Sequence, residues 1–345
     1  MRIALVATTH APIAASGGGS IEQIVWSLAT ELTLLGHQVT VFGQGGSVVD
    51  CAVVPTWHGT YGEPGVPGDA RLADLISTCR AIERAGDFDV IHAHNYLTAV
   101  PLGGLVTTPI VNTLHVLPYD DEAEVLRAYP KAHVTALSRF QWHAYADVAP
   151  DVVIPHGVST VEFALGVQPD DFLLYLGRFE PGKGADAAVQ LARAADVPLV
   201  LAGPTTPYFE EYVRPHVDDD AIRYVGTVSG HERTRLLQRA RALIYPIQQG
   251  EPFGLVLIEA MMCGTPVLAR PVGAVPEIVD DGVTGFLSNH PEAWFAAVKR
   301  IDELDRRAIR WIAEQRFSSQ RMARDYLRVY ASAVAGAMLL DGPGR

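Results

Sequence analysis

The sequence is poor in lysine and cysteine and has no long apolar run. Of its 345 residues only Lys131, Lys183 and Lys299 are lysines, and 27 basic residues face 39 acidic ones for a formal net charge of −12. Nucleic-acid binding depends on basic patches that release counterions, so this balance argues against it. Residues 1–150 carry seven basic and fourteen acidic side chains, a net of −7, which disfavours an anionic lipid headgroup on this half. The three cysteines, Cys51, Cys79 and Cys263, are odd in number and lack metal-ligand spacing, which fits reduced thiols in a cytoplasmic protein. No apolar run approaches the roughly 18 residues of a membrane span. Met1 leads directly into "RIALVA", a strand-like segment with no charged n-region or cleavage site before it, so no secretory signal is expected. There is no H-x-x-x-H, Cys/His cluster or G-x-S-x-G, so zinc and nucleophile-elbow chemistry lack support.

What is present is globular and α/β. Hydrophobic residues make up 48% and charged residues 19%, and the length suggests about two domains at roughly 150 residues each. Short apolar runs alternate with helical periodicities. Strands are expected at 2–7, 38–43, 51–55, 89–94, 109–115, 133–138 and 152–157, with a helix "SIEQIVWSLATELTLLG" ended by Gly36. The pattern restarts with strands at 172–177, 198–203, 222–226, 242–246 and 266–270. Continuous Val/Ile/Leu strands between helices predict parallel sheets covered on both faces. The expected division is 1–158, rejoined by an amphipathic helix at about 318–339, and 159–317. Open α/β sheets bind ligands at the carboxyl ends of their strands, so a cleft where two such ends face each other is expected. The segment "WHGTYGEPGVPGDA" (57–70) reads as a loop and "DDD" (218–220) as a solvated turn.

Several stretches could carry chemistry. "FLLYLG" runs into "RFEPGKG", placing Arg178 and Lys183 five apart across a Pro-Gly turn. Two cations at a strand's carboxyl end suit a diphosphate, though taken alone the pair reads more readily as a surface turn with two solvated charges. "EPFGLVLIEAMMCG" places Glu251 before a helix and Glu259 inside it, with Leu255, Val256, Met262 and Cys263 three and four positions away. A carboxylate in such surroundings needs a partner or a proton. Backbone N–H groups at Phe253, Gly254 and Leu255 would form an anion site at the helix start. Glu259 would reach two ribose hydroxyls or a neighbouring strand's backbone, and Glu251 the hydroxyls of a sugar. "SGGGS" with Gly17, Gly18 and Gly19 is a phosphate-approaching loop or a flexible turn, not the dinucleotide G-x-G-x-x-G. His92, His94, His115 and His156 lie at or near strand ends. His115 is the best catalytic candidate, since "TLHVLPYDD" opens a loop at a carboxyl end.

Taken in order, the Gly-rich loop, "DVIHAHN", "VTALSRFQ", "VIPHGV", "LGRFEPGKG", "GTVSGHE" and the E-x7-E of Glu251 and Glu259 continuing into "VLIEAMMCGTPVLARPVGAVPEIVDDGVTGFL" resemble the retaining nucleotide-sugar glycosyltransferases of family 4, which have the GT-B fold. The resemblance covers nearly the whole chain. It implies two Rossmann-like domains facing a cleft, with the last helix crossing back to the first. It also implies Arg178 and Lys183 on the donor diphosphate and Glu259 on the nucleotide ribose. Glu251 and the backbone of Phe253, Gly254 and Leu255 would hold the donor sugar, Gly17 to Gly19 would approach the phosphates, and His115 would sit by the sugar. Ser138 and Arg139 would lie near the cleft, and Val228 within "GTVSGHE" would line the base. The compact, acidic, Arg-rich form resembles an actinomycete antibiotic-tailoring transferase of the avilamycin-pathway kind more than a membrane-lipid mannosyltransferase.

The expected reaction is retaining transfer from a UDP- or GDP-linked sugar to a hydroxyl of a small molecule, such as an antibiotic or oligosaccharide intermediate. Arg178, Lys183, Glu251 and His115 are the catalytic candidates. No cofactor and no metal are expected, and no nucleic-acid or membrane partner. Left open are a GT-B epimerase or phosphorylase and a non-catalytic nucleotide-sugar binding protein.

Overall fold

The computed structural model describes residues 1–15, 19–59, 66, 68–150 and 152–340. In chain order the first part runs β1 (Arg2–Val6), α1 (Ser20–Leu34), β2 (Gln38–Gln44), β3 (Ala52–Trp57), α2 (Ala70–Ile82), β4 (Val90–Ala93), β5 (Ile110–Thr113), α3 (Asp120–Ala128), β6 (His133–Ala136) and β7 (Val152–Val153). The second part runs β8 (Leu173–Leu176), α4 (Ala185–Ala195), β9 (Leu199–Ala202), β10 (Ile222–Tyr224), α5 (Gly230–Arg239), β11 (Ala242–Tyr245), α6 (Leu255–Met262), β12 (Val267–Ala269), α7 (Val275–Ile278), β13 (Gly285–Leu287), α8 (Pro291–Arg300) and α9 (Arg306–Phe317). The last helix, α10 (Ser319–Leu340), follows directly.

These elements form two units. One comprises Met1–Gly157 with Ser319–Arg345, the other Val158–Ser318. In the first, seven parallel strands lie in the order β3-β2-β1-β4-β5-β6-β7. β4 and β5 are buried along their whole length, as strands covered on both faces must be. Ala4, Val6, Phe42, Phe88 and Ile91 form one core cluster of this unit. The final helix packs back onto this sheet. Ser319 Oγ and Gln320 Nε2 donate to the Glu31 carboxylate at 2.7 and 2.8 Å, and Tyr326 and Tyr330 are fully buried.

In the second unit six parallel strands lie in the order β10-β9-β8-β11-β12-β13. Leu173, Tyr175, Phe179, Leu201, Phe209 and Ile244 belong to its core.

All twelve strands read from the sequence are present, with two departures. The segment expected at 152–157 pairs only at Val152 and Val153, and the ladder closes with the Ile154 N–H donating to the Ala136 carbonyl at 2.8 Å. β13 was not anticipated; its "GFL" opens on a glycine directly behind the turn-like "DDGVT", so no apolar run marks it. The helix expected to end at Gly36 ends at Leu34. The Asp218–Asp220 turn is as expected: the Asp218 carboxylate accepts from the N–H groups of Asp220 and Ile222. Of the loop read at 57–70, Trp57 closes β3 and Ala70 opens α2, and residues 60–65 and 67 lie outside the described residues. Among the described residues no helix is long and apolar enough to cross a membrane.

Candidate active site

The strand order of the second unit reverses between β8 and β11, which pair with each other. At such a switch point the connecting segments leave in opposite directions and open a crevice at the carboxyl ends. Arg178 and Lys183 lie on the segment after β8, and Glu251 lies on the segment after β11. Gln248 N–H donates to the Gly182 carbonyl at 2.7 Å, tying the two segments together. Gly184 (φ 78°) caps α4, and a Cβ there would meet the Pro246 carbonyl oxygen at 2.3 Å, so only glycine allows this approach.

Lys183 is ion-paired with the Glu251 carboxylate, and the hydroxyl of Tyr245, the last residue of β11, donates to the same group. Burial, aided by the nearby Arg178, lowers the Lys183 pKa from its usual value. The lysine has thus given up much of its hydration and relies on a carboxylate for compensation. Arg178 differs: its side chain is 66% exposed and only loosely paired with Glu180 at 3.2 Å, so it can reorient toward an anion.

Gly254 is the N-cap of α6, and its φ of 105° lets the chain turn sharply into the helix. The ring of Phe253 is buried, edge-on to Phe317 at 6.2 Å, so this residue has only its backbone to offer a ligand. Val228, 8% exposed, likewise points its side chain into the fold. Glu259 is 1% exposed and does have a partner: Arg233 of α5 donates to its carboxylate. Burial raises the Glu259 pKa, and the guanidinium opposes that rise. Glu251 and Glu259 therefore belong to two different pairs, one with Lys183 and one with Arg233. Arg233 carried no local signal, since it stands 26 residues before its partner. The apolar surroundings of Glu259 were the indirect one.

In the first unit the histidines form a continuous strip. His92, inside β4, is a satisfied core residue, bonded through Nδ1 to the Tyr330 hydroxyl at 2.6 Å and through Nε2 to Thr113 Oγ1 at 2.8 Å. Thr113 Oγ1 also meets Thr135 Oγ1 at 2.7 Å and the Tyr326 hydroxyl at 3.0 Å. His94, just after β4, contacts His115 with Nδ1 and Nε2 3.0 Å apart. The His115 ring stacks on His156 at 5.1 Å and 13°. Burial pushes His115 down to about 3 and holds His92, His94 and His156 well below the usual range, so all four rings are neutral near pH 7. Gln141, which sequence reasoning did not single out, braces the His115 loop. Its Nε2 donates to the carbonyls of Leu114 and Val116 at 2.8 Å each, and its Oε1 accepts from Leu137 N–H. Ser138 is buried, and its Oγ accepts from Gln141 N–H at 3.1 Å; Arg139 adjoins it. Gly19 is the N-cap of α1, whereas Gly17 and Gly18 lie outside the described residues. The buried carboxylates near the end of β1 are Glu22, which accepts from the Thr8 hydroxyl, and Asp74, which accepts from Thr9 N–H and Oγ1 at 2.9 and 2.8 Å. Among the described residues no group of three or more His, Cys, Asp or Glu is arranged to hold a metal ion.

Residues 162–316 match the family "Glycosyl transferases group 1", and residues 17–162 match "Glycosyltransferase Family 4". The chain is 30% identical to D-inositol 3-phosphate glycosyltransferase 1 of Catenulispora acidiphila, over 97% of this chain and 96% of that protein. It is 28% identical to the phosphatidyl-myo-inositol mannosyltransferase of Mycolicibacterium smegmatis, over 98% and 95%. Among solved structures it is similar to AviGT4, a glycosyltransferase involved in avilamycin A biosynthesis, with 26% identity, a TM-score of 0.71 and coverage of 97% and 98%. Two Rossmann-like parallel sheets, with charged groups gathered at a switch point, are the frame of a GT-B glycosyltransferase. The chain belongs to the group 1, family 4 glycosyltransferases.

Proposed function

We propose that the protein moves a sugar from a nucleoside diphosphate to a hydroxyl of an uncharged small molecule, with retention at the anomeric carbon. The observation that carries this reading is the switch-point cluster of the second unit: Lys183, Arg178 and the start of α6 around one crevice. Cations and helix N–H groups aimed at a leaving diphosphate stabilise the charge that develops as the sugar departs. Binding exchanges the Glu251 partner of Lys183 for a phosphate and frees that carboxylate for sugar hydroxyls. Glu259, held by Arg233, takes the ribose.

No carboxylate is assigned as a covalent nucleophile, so attack comes from the face the leaving group departs. The bond from the anomeric carbon to the phosphate oxygen breaks and the bond to the acceptor oxygen forms. The acceptor's proton passes to the departing phosphate. His115 meets a substrate oxygen. The protein cations supply the required positive charge, and turnover is expected to survive EDTA; loss of activity restored by Mg²⁺ would contradict this.

The charge of the first unit supports a neutral acceptor. The curated relatives above are named for phosphate-bearing inositols. Here residues 1–150 sum to −7, and Glu22 and Asp74 are buried near the end of β1. The similarity to AviGT4 favours a secondary-metabolite or oligosaccharide acceptor. A thermal-shift panel of nucleoside diphosphates, then mass spectrometry of mixtures of sugar donors with neutral and phosphorylated acceptors, tests the reading. Stabilisation by a diphosphate, a glycosylated neutral product and an unchanged anomeric configuration by NMR are expected. If no diphosphate stabilises the protein, or if Lys183→Ala leaves that stabilisation intact, the donor assignment fails. Sugar loss without an acceptor would favour an epimerase, and phosphate dependence a phosphorylase.

A further inference from the structure

The strip of histidines in the first unit contains a choice of proton position that the geometry resolves. His94 Nδ1 and His115 Nε2 are 3.0 Å apart. With both rings neutral, one of these two nitrogens carries the proton and the other the lone pair. His94 is fully buried, and its other nitrogen, Nε2, has no hydrogen-bond partner among the described residues. If His115 were the donor, His94 would have to carry its own proton on Nε2, as a buried N–H with nothing to receive it. Buried N–H groups left in that state are rare, and an unused lone pair is the lesser penalty.

We infer that His94 is a positioning residue that donates from Nδ1 to His115 Nε2 and so fixes His115 as the Nδ1–H tautomer, making His115 a hydrogen-bond donor toward substrate rather than a general base. Other contacts already place the ring. Gln141 holds the backbone on either side of His115, and His156 stacks against the ring face. What those contacts leave undetermined is which edge carries the proton, and His94 determines it. His115 is half-buried, and Nδ1 makes no hydrogen bond with the described residues, so that N–H remains for a substrate oxygen. The same logic orients catalytic and metal-binding imidazoles, where a partner on one ring nitrogen dictates what the other can do.

The contact between His115 and substrate rests on the transferase reading; the tautomer does not. The experiment is therefore in two arms. In protein labelled with ¹⁵N-histidine, with His115 assigned by loss of its signals in His115→Asn, the His115 Nδ1 is expected at the protonated, pyrrole-like position and Nε2 at the bare, pyridine-like one. In His94→Leu the two His115 signals are expected to move toward each other as the tautomers mix. The second arm measures transfer. His94→Leu is expected to lower kcat by about 10- to 100-fold, the worth of one well-placed hydrogen bond to the reacting substrate, with KM changed much less. His94→Asn, whose amide N–H can stand where Nδ1–H stood, is expected to recover most of that loss. A wild-type spectrum with the proton on His115 Nε2 overturns the inference, as do equal kcat losses in the Leu and Asn variants at unchanged unfolding midpoints. If His94→Leu does not fold, the wild-type spectrum alone decides. If the wild type transfers no sugar, the functional reading fails while the spectrum still decides the tautomer.

Discussion

The two units are built on the same plan, yet the buried polar groups around their candidate site residues differ. The first gathers neutral groups, with His92, His94, His115 and His156 joined to Thr113, Thr135, Tyr326 and Tyr330. The second gathers charges in pairs, Lys183 with Glu251 and Arg233 with Glu259. Its three histidines, His216, His231 and His290, all lie outside the core. A neutral network can be buried deeply because it loses little hydration, and each ring keeps a fixed proton pattern. Paired charges cost more to bury, but each pair can exchange one member for a ligand of the same sign. The first arrangement suits presenting hydrogen bonds of set direction, and the second suits receiving an anion.

The largest expected difference is in acid. The buried histidines have folded pKa values below the unfolded value of 6.5, to about 3 for His115. Below pH 6.5 the unfolded chain therefore binds more protons, and stability falls as pH drops toward the folded values. Each ring contributes up to about 1.4 kcal/mol per pH unit in that window. Hydrogen-exchange protection factors at β4 and β5, taken relative to the intrinsic rate at each pH, should fall strongly between pH 7 and pH 5, while those at β11 and β12 change little. An equal fall in both units would break the comparison.

Lys183→Ala comes next. It is expected to lower kcat/KM about 10³-fold, by loss of one charge on the leaving group, with the urea midpoint nearly unchanged; full activity would remove the diphosphate from this crevice. Glu259→Ala should then destabilise the second unit by about 3 kcal/mol, since it leaves the Arg233 guanidinium unpaired, and should weaken nucleotide binding. Adding Arg233→Met should recover part of the stability, and no recovery would mean the pair is not the reason. The smallest effect belongs to Tyr245→Phe. Removing one hydrogen bond to Glu251 should cost about 1 kcal/mol, read as about a fivefold rise in donor KM with kcat kept.

The strands and the order of helices were legible because buried parallel strands sit in runs of Val, Ile and Leu. β13 was not, because its "GFL" opens on a glycine directly behind the turn-like "DDGVT", and β7 pairs over less of its apolar run than the sequence suggested. The candidate site was legible where its residues share one loop, as Arg178 and Lys183 do. It was obscure where partners meet through strand register. Pairing of β4 with β5 sets His92 beside Val111 and Ala93 beside Asn112, and this brings the residues just beyond, His94 and His115, into contact. Nothing in the spacing of 21 residues announces that. Glu259 posed its question openly, as an acid among apolar neighbours, yet only the packing of α5 against α6 answered it with Arg233.

The return of α10 to the first sheet bears on how the chain is made. Tyr326 and Tyr330 complete hydrogen bonds begun by Thr113 and His92, more than two hundred residues earlier. On a translating ribosome the opening half therefore emerges long before its own capstone, and at about 5–20 residues per second it waits on the order of 10–30 s while the intervening unit is synthesised. The later-encoded body can settle first, and the earlier one stays unfinished until translation is nearly over.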